Sequence, residues 1–377
     1  MIVVQRHSLD HDFLCSEFSF HFEFYQNFSQ SADMEQKKSR DNSYDVAKGL
    51  CMILVVFGHA ERGLSASGAP PQFSLLGFVD YAIYTFHMPF FFFVSGLFFS
   101  FGKNTDSGDF FIKLGKNIAY PYLFWSLLHG GLMVAMGRLG LTNTVIDFTR
   151  ILEIPWNPIS PFWFLYALLF CQLASFALKQ ISALIRLASA LVLFTLLYSL
   201  GHSVLWDIAY GFLYFTLGIV AKQYGFQQKR YDARLFFALF VAFTISTYLS
   251  WQAEIPERLP FISAVLGIVL ITALSQILTR RKNAISSLLE TFGRLSVGIY
   301  VMHIIAIGFG RAVAIKLFQI TDMTSLLIIT TVIGIALPTI VQMAAIRLGI
   351  HEWLALPASA YRNQTTSRRL SSTPANS

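Results

Sequence analysis

Long apolar runs alternate with short polar connections along most of the chain. A transmembrane helix needs about 20 largely apolar residues, because each residue advances the helix by about 1.5 Å across a hydrocarbon core of about 30 Å. Ten runs meet this requirement, so the pattern predicts an all-α, polytopic membrane protein with about ten transmembrane helices. The predicted spans are residues 45–64, 79–101, 118–137, 161–179, 184–200, 205–222, 234–251, 260–278, 295–314 and 325–347.

The composition agrees with a membrane protein. Of the 377 residues, 55% are hydrophobic and only 13% are charged, whereas soluble domains carry roughly 25% charged residues. A disordered chain, a collagen-like fibre and an ordinary soluble domain are therefore excluded. Cys15, Cys51 and Cys171 form neither a disulfide framework nor a CxxC motif. Histidines inside the predicted spans lack HxxxH or HExxH spacing and few carboxylates lie there, so we expect no metal site.

The positions of lysine and arginine predict the orientation of the spans. Cytoplasmic connections of membrane proteins carry an excess of these residues. If the N-terminus is cytoplasmic, 22 of the 28 Lys and Arg residues fall in inside segments and 6 in outside connections. This asymmetry predicts that both termini are cytoplasmic. It also accounts for the formal charge of +7, so we expect a lipid bilayer and no nucleic acid as a partner.

Polar composition at the two ends predicts the domain limits. Residues 1–43 are predicted to form a polar, disordered N-terminal tail, and residues 44–348 the transmembrane domain. Residues 349–377, rich in Ser, Thr and Asn towards their end, are predicted to form a cytoplasmic tail.

The first span has ionisable residues on one face. Lys48 and His59 are eleven residues apart, which is three helical turns plus about 20°. Asp45 lies on the same face and is placed to pair with Lys48 at i,i+3. His59 lies about 16 Å further along the axis than Lys48, in the outer half of the membrane. Gly49 and Gly58 are small enough to admit a neighbouring helix or a ligand.

This face combines two kinds of chemistry. A neutral imidazole can take a proton from a hydroxyl near neutral pH, and a lysine at the inner surface can bind phosphate. One helix face would thus connect a cytoplasmic phosphate contact with a base deep in the membrane. The alternative is structural: Lys48 extends to the interface and His59 forms a hydrogen bond with another helix.

Three further histidines lie within predicted spans. His87 precedes Pro89, whose ring favours a kink, and it can converge with His59 in the outer half of the bundle. Tyr300 and His303 share one face of the ninth span and can line a cavity. His129 has no polar companion on its own span, which favours a packing role.

Five motifs together resemble the membrane-bound acyltransferase-3 family, the integral-membrane O-acyltransferases of bacterial surface glycans. Within it, the chain looks closest to the fucose 4-O-acetylase-like branch, and the resemblance covers roughly residues 44–348. The family's basic-x10-His signature is matched by Lys48 and His59. The motifs are YDVAKGLCMILVVFGHA at 44–60, FHMPFFFFVSGLFF at 86–99, AYPYLFW at 119–125, PFWFLYAL at 161–168 and SVGIYVMH at 296–303.

The resemblance implies transfer of an acyl group, most often acetyl, from cytoplasmic acyl-CoA to a sugar hydroxyl at the bacterial inner membrane. It assigns His59 as the catalytic residue and Lys48 to the CoA side. Lys113 and Lys116, spaced KxxK where the family often has RxxR, match a basic pair that is also associated with CoA. The residues expected to support or bind substrate, by position, are Asp45, His87, Trp163, Tyr300 and His303.

Several alternatives stay open on the sequence. His59 would act either as a general base on the acceptor hydroxyl or by accepting the acyl group covalently. Tyr300, Trp163 and His87 are the candidates for stabilising the oxyanion. The acceptor could be an exopolysaccharide, O-antigen, a lipid-linked oligosaccharide or a secreted signal molecule. The competing functions are a transporter or flippase of glycans or small solutes and a non-catalytic subunit of a polysaccharide assembly system.

Overall fold

The computed structural model describes residues 41–66, 74–100, 107–138, 146–201 and 203–357, and every regular element within them is helical. These helices belong to one compact unit that begins at Ser43. The helices are α1 (Ser43–Ser65), α2 (Ser74–Leu97), α3 (Ser107–Leu114), α4 (Tyr120–Arg138), α5 (Phe148–Leu152), α6 (Trp163–Ala177), α7 (Ala183–Ser199), α8 (Val204–Gln223), α9 (Ala233–Gln252), α10 (Phe261–Thr279), α11 (Ala284–Arg294), α12 (Ser296–Lys316) and α13 (Met323–Arg347).

Each of the ten predicted spans coincides with a helix. Seven helical segments in the described residues are long and apolar enough to cross a membrane, so the protein is a multi-pass membrane protein. Two further apolar helices, α6 and α7, have 15 and 17 residues and are shorter than a usual span. Ten crossings and a cytoplasmic position for both termini stay predictions.

The third predicted span starts earlier than the sequence suggested. A π-helical turn, Gly115–Ala119, joins α3 to α4, so that the helical segment runs from Ser107 to Arg138. Lys113 and Lys116, predicted to lie in a connection, are therefore on this helical segment. The apolar residues Phe110 and Leu114 are buried on it, and their packing extends the helix beyond the apolar run.

A short helix, α11, lies where the sequence predicted a connection between two spans. The Asn283 side chain accepts a hydrogen bond from the Ser286 backbone, while the Ser286 hydroxyl accepts one from the Asn283 backbone. This capping box starts the helix by satisfying two backbone donors. α11 crosses α1 at two glycines: a Cβ on Gly49 would lie 2.0 Å from the Leu289 carbonyl oxygen, and one on Gly293 would lie 1.7 Å from the Asp45 carbonyl oxygen.

A second glycine crossing fixes α2 against α8. A Cβ on Gly96 would lie 1.9 Å from the carbonyl oxygen of Phe215, and one on Gly218 would lie 2.1 Å from that of Phe93. Small residues allow backbones to approach this closely, as is usual between membrane helices. The core of the protein is therefore built around α1, α2 and α8, and α8 contributes some of its largest fully buried side chains: Trp206, Tyr210, Tyr214 and Phe215.

Polar contacts near the helix ends join residues that the topology prediction places on the same side. Arg62 pairs with Glu257, and Arg311 donates to the Gly63 carbonyl oxygen over 3.0 Å. On the opposite side, Lys116 pairs with Glu352 over 3.1 Å. These contacts fit the predicted alternation of the spans. Which side is cytoplasmic stays a prediction.

The first residues of the predicted C-terminal tail, up to Pro357, fold back onto the helices. The Trp125 indole donates to the Leu354 carbonyl oxygen over 3.0 Å, and the Gln342 amide donates to that of Pro357 over 3.1 Å. Ala355 and Leu356 are buried in the core. Nearly all of the predicted N-terminal tail, residues 1–40, and the rest of the C-terminal tail, 358–377, lie outside the described residues.

We expect Gly293→Ala to destabilise the protein, because its methyl group would overlap the α1 backbone at Asp45. Overpacking of this kind typically costs about 1–3 kcal/mol. The matched control is Gly308→Ala in α12, where a Cβ meets no atom within 4 Å. Thermal unfolding of the detergent-solubilised protein, followed by size-exclusion chromatography, measures the effect. Equal melting temperatures for the two variants would show that the crossing of α1 and α11 is not tight.

Candidate active site

A cavity of about 290 Å³ lies between α1, α2, α6, α8 and α12 and the connection before α10. Most of its lining is aromatic, imidazole or guanidinium, an unusual set of side chains for the interior of a membrane protein. The sequence predicted four of the lining residues as site residues: His59, His87, Trp163 and Tyr300. Five further polar residues line it that were not predicted: Arg62, Tyr84, Ser160, Tyr210 and Arg258.

His59 reaches the cavity from α1 where that helix lies against α2. A Cβ on Gly58 would lie 2.8 Å from the ring of Tyr84, so the glycine makes room for the phenol. The prediction that Gly49 and Gly58 admit neighbouring helices is confirmed at both positions. The His59 ring centre is 6.2 Å from that of Tyr84 and 5.0 Å from that of His303. His59 is therefore surrounded by hydrogen-bonding side chains rather than by apolar packing alone.

His87 lies next to Tyr84 on α2 and is only 1% exposed. Its ring meets the Tyr84 ring edge-on, with 4.8 Å between the centres. Its Nδ1 is 2.6 Å from the carbonyl oxygen of Ile83. Because a carbonyl oxygen only accepts, the hydrogen resides on Nδ1, and Nε2 is the acceptor of the neutral ring. The predicted convergence of His87 and His59 is present in the structure, because both line the cavity.

Arg62 connects three parts of the protein at the mouth of the cavity. Its guanidinium binds Asp80 of α2 through two nitrogens, at 3.0 and 2.7 Å, and contacts Glu257 at 3.3 Å. The same group lies 3.2 Å from the centre of the Tyr84 ring. A planar guanidinium can make these bidentate and stacking contacts together, which a lysine cannot.

Arg258, the residue after Glu257, provides a second connection between this loop and the helices. Its guanidinium donates to Asp207 of α8 over 2.7 Å and lies 4.5 Å from the centre of the Trp163 ring. Glu257 and Arg258 thus bind in opposite directions, one to α1 and the other to α8. The loop formed by residues 253–260 is held across the mouth of the cavity by both.

The hydroxyl groups of the cavity fall into two classes. Tyr300 donates its hydroxyl hydrogen to the Pro161 carbonyl oxygen. The hydroxyls of Tyr84 and Tyr210 are buried and have no hydrogen-bond partner among the described residues. The hydroxyl groups of these two phenols are therefore available to donate a hydrogen bond to a substrate. Neither residue was singled out from the sequence, because a tyrosine in an apolar helix is a weak signal in a chain with 15 of them.

A separate cluster of charges lies at the other end of α1. Lys48 Nζ is 2.7 Å from Asp45 Oδ1, which confirms the predicted i,i+3 pair. The other carboxylate oxygen of Asp45 is 3.5 Å from Arg294 Nε, and Arg294 also binds Glu290. Asp45 is buried and the Arg294 side chain is 7% exposed, whereas the Lys48 side chain is 22% exposed. Lys48 is thus the member of this cluster that an incoming ligand can reach.

The remaining predicted residues lie outside the cavity. Lys113 and Lys116 are exposed, and Lys116 is paired with Glu352. His303 is fully buried behind His59. His129, predicted to have a packing role, packs against Phe162 with 5.6 Å between ring centres. In the residues that the structure describes, no group of three or more His, Cys, Asp or Glu side chains could hold a metal ion.

Comparison with known proteins identifies relatives. A family model described as an acyltransferase domain matches residues 41–343. A nodulation protein NolL from Sinorhizobium fredii (strain NBRC 101917 / NGR234) is 31% identical over 204 residues, which cover 49% of this chain and 50% of that protein. A nodulation protein NolL from Mesorhizobium japonicum (strain LMG 29417 / CECT 9101 / MAFF 303099) is 30% identical over 139 residues, or 34% of this chain and 33% of that protein. The matched regions thus span half the length of the first relative and a third of the second. No solved structure matches the chain.

We expect Asp207→Asn to loosen the loop at 253–260, because it weakens the contact that ties Arg258 to α8. A partly exposed ion pair is worth about 0.2–1 kcal/mol, so amide exchange in the loop should become about 1.4- to fivefold faster. Hydrogen exchange followed by mass spectrometry measures this rate. Glu254→Gln, an exposed change in the same loop, is the control. Unchanged exchange in the Asp207 variant would mean that the pair does not hold the loop.

Proposed function

The chain belongs to the acyltransferase family whose model it matches, and we propose that it is a membrane O-acyltransferase. In this proposal it moves an acyl group, most often acetyl, from cytoplasmic acyl-CoA to a hydroxyl of a cell-surface or exported glycan. The observation that carries the proposal is the cavity, which is lined by His59 and by two phenol groups, Tyr84 and Tyr210, whose hydroxyls have no hydrogen-bond partner among the described residues. A base and hydrogen-bond donors around one small space are what acyl transfer to a hydroxyl requires.

The donor side of the proposal is the Lys48 end of α1. Lys48 is partly exposed and carries a positive charge that can contact a phosphate of CoA. Asp45 holds the ammonium in place, and Arg294 compensates the second carboxylate oxygen of Asp45. The exposed side chains of Lys113 and Lys116 add positive charge to the same predicted cytoplasmic face. Lys116 would have to release Glu352 to make such a contact.

The acceptor side of the proposal is the mouth of the cavity at the opposite end of α1. Trp163 and Tyr210 provide aromatic surface there, and Arg62 and Arg258 provide guanidinium groups. Aromatic faces and hydrogen-bonding groups are the usual means of holding a sugar ring in a polar site. The loop at 253–260 closes this mouth through its two ion pairs, so a large acceptor would enter when the loop moves.

The proposed reaction uses His59 as a general base. A ring nitrogen of His59 takes the proton of the acceptor hydroxyl as that oxygen attacks the carbonyl carbon of the thioester. The carbonyl electrons move to oxygen and form a tetrahedral oxyanion. When the oxyanion collapses, the carbon–sulfur bond breaks and the leaving thiolate takes the proton back from His59. The products are an ester and free CoA. In the covalent alternative, His59 itself receives the acyl group before the hydroxyl attacks.

Tyr84 is the residue we propose for stabilising the oxyanion. The three residues considered from sequence are less suited: Tyr300 donates its hydrogen to Pro161, and His87 donates from Nδ1 to Ile83. The third, Trp163, is covered by Arg258. The Tyr84 hydroxyl has no hydrogen-bond partner among the described residues, and the Arg62 guanidinium over its ring holds the ring in place.

We expect His59→Gln to lower acetyl transfer about 10²–10⁴-fold, the usual contribution of a general base. The assay measures label from radiolabelled acetyl-CoA in membranes supplied with the four classes of acceptor in parallel.

Lys48→Ala should instead raise the KM for acetyl-CoA about ten- to a hundredfold, because one charge-assisted contact is lost. Lys316 is exposed at the C-terminal end of α12, and Lys316→Ala is the control.

The same assay distinguishes the competing functions. Equal labelling by wild type and His59→Gln at matched protein levels would contradict the proposed catalytic role of His59. Absence of labelling with every acceptor would favour a transporter, a flippase or a non-catalytic assembly subunit. An acetylated His59 peptide, trapped without acceptor and detected by mass spectrometry, would replace the general-base route by the covalent one.

We expect Tyr84→Phe to lower kcat about 10²–10³-fold, the loss seen when one oxyanion donor is removed. The KM values for donor and acceptor should stay near those of wild type, because the ring and its contacts with Gly58 and Arg62 remain. Tyr210→Phe tests the other cavity hydroxyl without a partner among the described residues, and Tyr224→Phe, which is exposed, is the control. A kcat for Tyr84→Phe within about twofold of wild type would exclude Tyr84 as an oxyanion donor.

A further inference from the structure

Two histidine rings from different helices meet behind the cavity. The ring centres of His59 on α1 and His303 on α12 are 5.0 Å apart, with 49° between the ring planes. His303 is fully buried and does not line the cavity, whereas His59 does. His303 is thus placed to act on His59 rather than on a substrate.

Hydrogen bonding fixes which nitrogen of His303 carries the hydrogen. Its Nδ1 is 2.6 Å from the carbonyl oxygen of Tyr300, which can only accept, so Nδ1 is the donor. In a neutral ring this leaves Nε2 as an acceptor. That Nε2 is buried and has no hydrogen-bond partner among the described residues. A buried acceptor without a donor is unfavourable, so the position calls for one.

His59 is the neighbour best suited to provide that donor. The two ring centres are 5.0 Å apart. At this separation a rotation of the His59 ring would bring one of its nitrogens within hydrogen-bonding distance of His303 Nε2. Two other titratable groups face His303. Tyr300 has given its hydroxyl hydrogen to Pro161, and His129 lies within electrostatic range on α4. The His129 ring packs on Phe162, and it is not in ring contact with His303 in the way that His59 is.

We propose that His303 is a positioning residue whose Nε2 accepts the N–H of His59. This contact would hold His59 in one tautomer, with the lone pair of its other nitrogen available to the acceptor hydroxyl. The inference rests on the proposed function for its role in catalysis. It corresponds to the part played by the carboxylate of a catalytic triad, except that a neutral imidazole orients the base without adding a negative charge.

The kinetic test compares two variants at position 303. We expect His303→Leu to lower kcat about 10- to 100-fold with unchanged KM values, as the loss of an orienting partner does. His303→Gln, whose amide oxygen can accept the same hydrogen bond, should recover most of that loss. His129→Leu is the control for removing a buried histidine. Equal kcat losses in the Leu and Gln variants, or a rise in KM alone, would overturn the positioning role.

A spectroscopic test does not depend on activity. Solid-state NMR of the ¹⁵N-histidine-labelled protein in membranes reports which ring nitrogen is protonated, and the His59 signals are those lost in His59→Gln. We expect one tautomer of His59 in wild type, a mixture in His303→Leu and one tautomer again in His303→Gln. Identical His59 signals in wild type and His303→Leu would overturn the inference. If the His59 tautomer depends on His303 but no transferase activity is found, the proposed function is contradicted while the contact between the two histidines is supported.

Discussion

The structure depends on the enclosure of α1 by protein rather than by lipid. An ionisable side chain facing hydrocarbon costs several kcal/mol unless a partner or a cavity receives it. In the most apolar window of α1, 67% of the residues are buried, compared with 11% in α9. Accordingly, α1 can carry Asp45, Lys48 and His59, whereas the large side chains exposed on α9 are aliphatic or aromatic. Gly49 and Gly293 make the enclosure possible, because their missing side chains allow α11 to reach the α1 backbone.

Enclosure also explains why the polar groups of α1 are divided between its ends. The residues between Lys48 and His59 include Cys51, Met52 and Val55, which are buried in the apolar core. Near Lys48, the charge of Asp45 is compensated by Arg294 of α11. Near His59, the charge of Arg62 is compensated in part by Glu257 of the loop at 253–260. The apolar middle therefore separates an ionic cluster at one end from a histidine-lined cavity at the other. Each end can be altered without directly disturbing the contacts of the other.

The sequence was informative wherever a feature lies within one helix. The pairing of Asp45 with Lys48 follows from helical spacing, and all ten predicted spans coincide with helices. The contacts across helices could not be foreseen in this way. Arg62 and Arg258 were counted only as charges of outer connections, because nothing local shows that one stacks on a tyrosine of α2 and the other on Trp163 of α6. The capping residues of α11 were a local signal, but an apolarity window does not detect an 11-residue helix.

The separation along α1 bears on what must cross the membrane in the proposed reaction. His59 lies eleven residues beyond Lys48, a distance of about 16 Å along the axis. A donor whose phosphates stay near Lys48 would need only its uncharged arm and acyl group to extend towards His59. Moving the charged nucleotide through the bundle would cost far more, since each phosphate would require its own compensating charges. The geometry thus favours delivery of the acyl group from one side and of the hydroxyl from the other, with His59 and its partner His303 between them.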